Sequence, residues 1–107
     1  MAAPRKKESP GLTWDQIAGC KAQVPRTVVH HQFAMETVLL NVETAYYYGM
    51  DAIGARFFAV LRQSATVEAA VQTLCAEFDS PQEQIREDMV RFCEELVSKG
   101  LLELSNG

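Results

Sequence analysis

The sequence predicts a small α+β domain in which three antiparallel strands precede three helices. Two features carry this reading. Between Thr27 and Tyr48 the chain holds short runs rich in β-branched and aromatic residues, and from Asp51 onward the apolar period changes from 2 to 3.6. Length and composition set the scale: 107 residues, 48% hydrophobic and 22% charged, suit one domain. A chain of this size buries roughly 60 to 70% of its unfolded surface, enough for one core without disulfide staples.

Residues 1–24 read as a flexible N-terminal extension and residues 25–104 as the folded domain. The opening PRKKESPG has two prolines, a glycine and four charges, too little apolar surface to offset the entropy of ordering. In LTWDQIA, Thr13 is a candidate cap and Leu12, Trp14 and Ile17 form an apolar trio, so a short strand or turn is expected, with Trp14 covering the body. After Pro25, TVVHHQF and ETVLLNV form a hairpin around Ala34 and Met35. Val38, Leu40 and Val42 alternate onto one face. A polar break at Glu43 and Thr44 leads into a third strand, Tyr46, Tyr47 and Tyr48, which Gly49 ends. Alternation sets Tyr47 opposite Tyr46 and Tyr48, leaving open which side meets the core.

Asp51 can cap the first helix, whose inward face carries Ile53, Phe57, Val60 and Leu61. Gln63, Ser64 and Ala65 break it. Thr66 caps a second helix with Val67, Ala70, Val71, Leu74, Cys75 and Phe78 on one stripe, closing at Asp79. The third opens on Ser80, Pro81, Gln82 and Glu83, a capping box with proline at the first helical position. It runs to Lys99, with Gly100 as its stop and Leu101 folding back. Ile85, Met89, Phe92 and Leu96 form its core row. A second row, Arg86, Val90, Cys93 and Val97, lies about 100° round and either widens the core contact or lines a groove.

Little in the chain points to catalysis. His30 and His31 are adjacent, so on a strand they face opposite ways and do not converge on a metal, and Cys20 brings no further ligand at useful spacing. Cys75 and Cys93 sit among apolar positions, where a thiol behaves as a small hydrophobe. The carboxylates of the last helix form ordinary i,i+4 pairs, Glu87 with Arg91 and Glu95 with Lys99. There is no glycine-rich phosphate loop and no serine elbow. No metal and no cofactor are expected, and the chain reads as a binding protein rather than an enzyme.

Charge narrows what it binds. Net charge is −4, and the basic residues concentrate in the first quarter, where Arg5, Lys6, Lys7, Lys21 and Arg26 outweigh Glu8 and Asp15. The remaining body is acidic and repels a phosphate backbone, so no nucleic-acid partner is expected. A DNA-binding winged helix is the alternative. Its recognition helix would be the last one, whose opening offers Glu83, Glu87 and Asp88 against Arg86, where base readout needs Arg, Lys, Asn or Gln in a basic frame. No apolar run approaches the roughly 20 residues of a membrane span. Three cysteines without CxxC spacing suit reduced thiols, hence a cytoplasmic protein. A three-stranded meander leaves open edges, and an extended peptide can add to one as a further strand.

The strings ETVLLNVETAYYYGMDAIGARFFAVL and TVEAAVQTLCAEFDSPQEQIREDMVRFCEELVSKGLLE resemble the PqqD family, the peptide chaperones also called RiPP recognition elements, RiPPs being ribosomally made and post-translationally modified peptides. The resemblance spans Val28 to Glu103 and rests on the order of ETVLLN, the aromatic turn ending YYG, GARFF and ELVSKGLLE. It implies a winged helix-turn-helix fold. It further implies that the leader segment of a precursor peptide binds antiparallel to the third strand, in the cleft between that strand and the third helix. Carried onto this chain, the peptide-binding residues are Tyr46, Tyr47 and Tyr48 on the strand and Arg86, Met89, Val90, Cys93 and Val97 on the helix. The partner implied is a maturation enzyme such as a leader peptidase, and a stand-alone chain of this size most resembles the lasso-peptide type. One departure stands out: Ala45 occupies a turn position where many members have glycine, which calls for a different turn or a penalty for positive φ.

Overall fold

The computed structural model describes residues 11–33 and 36–106. Its elements, in order, are α1 (Trp14–Ile17), β1 (Lys21–Gln23), β2 (Val28–Phe33), β3 (Glu36–Asn41), β4 (Tyr47–Met50), α2 (Ala52–Gln63), α3 (Val67–Phe78), α4 (Gln82–Ser98) and β5 (Glu103–Ser105). The α+β order of a three-stranded antiparallel sheet followed by three helices is as predicted: β2, β3 and β4 form a meander in that order. A second sheet, absent from the sequence reading, pairs β1 with β5, setting Ala22 opposite Leu104.

That pairing corrects the N-terminal expectation for the described part of residues 1–24; residues 1–10 lie outside the described residues. Thr13 caps α1, its amide donating to Gln16 Oε1 at 3.0 Å. Ile17, Cys20 and Ala22 are buried in the main core, and Trp14 packs against it. Three backbone ties explain why so short a segment is held. Val67 N–H donates to the Cys20 carbonyl and Glu68 N–H to the Ala18 carbonyl, while β1 pairs with β5.

The helices follow their sequence signals closely. Asp51 accepts from Gly54 N–H and Thr66 from Ala69 N–H, capping α2 and α3. Asp79 closes α3 in the left-handed conformation, φ 53°. The capping box expected for α4 is not formed: Pro81 is itself the N-cap and Ser80 Oγ turns back to the Phe78 carbonyl. Pro81 has φ −61° and ψ 142°, and this extended ψ puts it outside the helix, so the helix starts one residue later than predicted. The C-terminus is a Schellman motif. Gly100, at φ 72°, donates to the Val97 carbonyl and Leu101 to the Leu96 carbonyl, which leaves Leu101 fully buried. On α2 the inward face is Phe57, Phe58, Val60 and Leu61, whereas Ile53, expected inside, is 60% exposed in the first turn.

The sheet is turned the other way from the apolar pattern. Thr37, Leu39 and Asn41 are the buried set of β3, while Leu40 and Val42 are exposed. The physical reason lies in Asn41. Its Nδ2 donates to the Gly100 carbonyl at 3.0 Å, and its Oδ1 accepts from the amides of Glu43 and Thr44. One buried amide thus closes the β3–β4 turn and fastens it to the end of α4, satisfying polar groups that would otherwise be buried unpaired. The outward face is left apolar, with Val29, Leu40 and Tyr47 in one row across the three strands.

Candidate functional site

Strand β4 is the outer strand of its sheet, and the ladder decides which of its backbone groups are free. Asn41 N–H donates to the Tyr46 carbonyl, and in register with that pair Leu39 lies opposite Tyr48 and Thr37 opposite Met50. Hydrogen-bonded pairs recur at every second residue of an antiparallel ladder. Tyr48 and Met50 therefore turn their amides and carbonyls to β3, and Tyr47 and Gly49 turn theirs to the open edge. Side chains alternate as well. Met50 is buried and Tyr48 half-buried on the core side, while Tyr47, 70% exposed, stands on the outer face. Tyr46 lies in the turn before the strand and is exposed, and Gly49 continues the strand rather than ending it.

The turn that presents these tyrosines holds Ala45 at φ 67°, the left-handed region that favours glycine. The strain is offset locally: Ala45 N–H donates to the Asn41 carbonyl at 2.8 Å, and Tyr46 N–H to Thr44 Oγ1 at 3.3 Å.

On the far side of the β4 edge stands α4, and one hydrogen bond links the two: Tyr48 Oη donates to Glu95 Oε1 at 3.0 Å. Burial first, then the Glu95 hydrogen bond and the negative charges of Glu95 and Asp51, together push the Tyr48 phenol up to about 12. Glu95 thus does not act as the surface partner of Lys99 expected from their spacing. Likewise Arg91 pairs with Asp88 at 2.7 Å rather than with Glu87.

The helical wall beside β4 is consequently not the row expected. Arg86 and Glu95 are separated by about two and a half turns, which sets them on opposite sides of α4. The Arg86 guanidinium lies over the Trp14 ring, 5.0 Å from its centroid, and with Val90 lines a cavity shared with Trp14. Its Nε is buried without a hydrogen-bond partner. Met89 and Cys93 are fully buried in the core, and Val97 is half-buried against it. Burial pushes the Cys93 thiol up to about 12, so it is a protonated hydrophobe in this setting. The side of α4 that turns to β4 and α2 carries Glu95 and Phe92, whose ring meets Phe57 edge-on at 5.9 Å. By spacing alone Phe92 falls in the core row and Glu95 on the solvent side. No spacing signal marks either one, because their role depends on where β4 docks.

No group of three His, Cys, Asp or Glu among the described residues is placed to hold a metal ion. No helix among them is long and apolar enough to cross a membrane.

The family model described as coenzyme PQQ synthesis protein D (PqqD) matches residues 36–102. The chain belongs to the PqqD family. The match begins at β3 and ends before β5, so α1, β1 and β2 of this PqqD-family chain lie outside it. Two solved structures share the architecture. One, described as TbiB1 in complex with the TbiA(beta) leader peptide, is 32% identical with a TM-score of 0.70, covering 76% of this chain and 94% of that one. The other, lasso peptide synthetase B1 complexed with the leader peptide, has a TM-score of 0.71 at 16% identity and covers 78% of this chain and 98% of that one, a likeness of fold. No curated protein matches the chain.

Proposed function

We propose that this PqqD-family protein binds the leader segment of a ribosomally synthesised precursor peptide by adding it as a strand to the open edge of β4, and presents it to a maturation enzyme such as a leader peptidase. The carrying observation is the β4 edge itself. Tyr47 and Gly49 offer unpaired backbone donors and acceptors beside α4, and an extended guest takes affinity from such groups. Support comes from TbiB1, a related chain that holds a leader peptide. Both solved structures hold a leader peptide, and the one described as a lasso peptide synthetase B1 favours a lasso-peptide setting.

In this reading Tyr47, Tyr48, Phe92 and Glu95 flank the guest strand, and Arg86, Met89, Val90 and Cys93 do not touch it. The protein contributes no chemistry of its own. It lowers the entropy of the encounter by holding the substrate extended while a partner acts on the remainder. Free thiols at Cys20, Cys75 and Cys93 suit a cytoplasmic setting.

The experiment is a titration of isotope-labelled protein with synthetic TbiA(beta) leader peptide. Amide shifts at Tyr47 to Met50, Phe92 and Glu95 are expected. Shifts confined to α2 and α3 would overturn the proposal.

A further inference from the structure

A second feature lies at the other edge of the sheet, independent of the leader reading. Between the inner face of β2 and α2 is a cleft of about 310 Å³ whose lining includes His30, Gln32, Thr37, Arg56 and Arg62 and no carboxylate. Its floor is Phe58, 2% exposed, flanked by the His30 ring edge-on at 6.0 Å and by the Arg62 guanidinium 5.4 Å from the ring centroid. Arg56 is neutralised by Glu77 at 2.6 Å. Arg62 has no carboxylate partner among the described residues. It also lines an adjoining hollow of about 500 Å³ with Lys21 and Arg26, where Glu103 is the carboxylate present.

On a chain of net charge −4 this is an unexpected concentration of cations. The tertiary structure brings Lys21 of β1 and Arg26 of the β1–β2 connection to Arg62 at the end of α2. The acidic residues of α4 lie elsewhere. Such an arrangement makes a local positive field on a negative molecule, which orients an incoming acidic surface. A planar guanidinium held over an aromatic ring keeps its N–H fork free for a carboxylate. The patch is a pocket with a hollow beside it rather than an extended stripe that could track a phosphate backbone, so a short acidic peptide segment fits better than nucleic acid.

We propose that the β2–α2 cleft and the adjoining Lys21–Arg26–Arg62 hollow form a docking site for carboxylate side chains of an acidic segment on a partner protein. Because β2 and β4 are opposite edges of the meander, a partner seated there leaves the β4 edge open.

The test is a nuclear magnetic resonance titration of the full chain with acetylated, amidated tetraglutamate and, separately, with inorganic phosphate. Tetraglutamate is expected to shift His30, Gln32, Phe58 and the Arg62 side chain, and Arg62→Glu is expected to weaken it about fivefold. Arg91→Glu alters net charge identically but sits on α4, and it should leave the affinity unchanged. Equal weakening by both variants, or shifts scattered over the surface, would mean general charge attraction and overturn the site. Phosphate binding as tightly as the peptide would make it a free-anion pocket and overturn the docking role. Since TbiA(beta) leader binding is read at Tyr47 to Met50, its outcome is separate. Amide spectra of Arg62→Glu report whether the fold is kept, and Arg26→Glu supplies a second variant with the same expected direction.

Discussion

The hydroxyl of Tyr48 donates to Glu95 Oε1 at 3.0 Å, joining the open-edge strand to the last long helix. The pair sets the spacing between β4 and α4 and gives Tyr48 a titration unlike an ordinary phenol. Neutral Tyr48 is favoured in the fold, so its share of stability is complete below pH 10 and is lost as pH rises through about 12. Ultraviolet titration should show one tyrosine ionising near 12 that disappears in Tyr48→Phe. Glu95→Gln should lower that value without restoring it fully, because burial is the largest cause.

Tyr47 is 70% exposed, so Tyr47→Ala should alter stability by less than about 0.5 kcal/mol. If its ring packs on a guest strand, leader affinity should fall by roughly 2 kcal/mol, measured by calorimetry. A loss of stability with unchanged affinity would place the ring in the fold instead.

Asn41→Ala removes a donor to the Gly100 carbonyl and an acceptor for two turn amides. Denaturant unfolding should show a loss of about 2 kcal/mol or more. Asn41→Asp keeps the acceptor but not the donor, and should fall between wild type and Asn41→Ala.

Met89→Ala should destabilise by about 2–5 kcal/mol, since the side chain is fully buried. Cys93, equally buried, should resist alkylation in the native protein and react on unfolding, whereas half-exposed Cys75 is modified first. Mass spectrometry of iodoacetamide-treated protein checks this.

Ile17→Ala should cost about 2–5 kcal/mol although Ile17 precedes the family match, because it is 1% exposed within the main core. A neutral result in thermal unfolding would return this segment to the status of a loose extension.

Local rules carried most of the fold. The switch of period at Asp51, the caps at Asp51 and Thr66, and the Gly100 stop each depend on neighbours within a few residues, and each is formed as read. The strand order was legible for the same reason, since short connections favour a meander. The β4 edge was legible as an open strand from the meander order, but the side of α4 that faces it was not. Arg86, Val90, Cys93 and Val97 form a convincing row in sequence, yet the row turns toward Trp14 and the core.

By itself, then, the sequence determined the order of the three-stranded sheet and the three long helices, the boundaries of α2, α3 and α4 to within a residue or so, and membership of a recognisable family. Only the tertiary structure decided which face of the three-stranded sheet is inside and which side of α4 meets β4. Alternation and helical period define faces but not their direction, and here direction was set by long-range bonds: Asn41 to Gly100, Tyr48 to Glu95, and β1 to β5. The same packing gathered Lys21, Arg26 and Arg62 around one hollow, a charge pattern with no trace in their spacing along the chain.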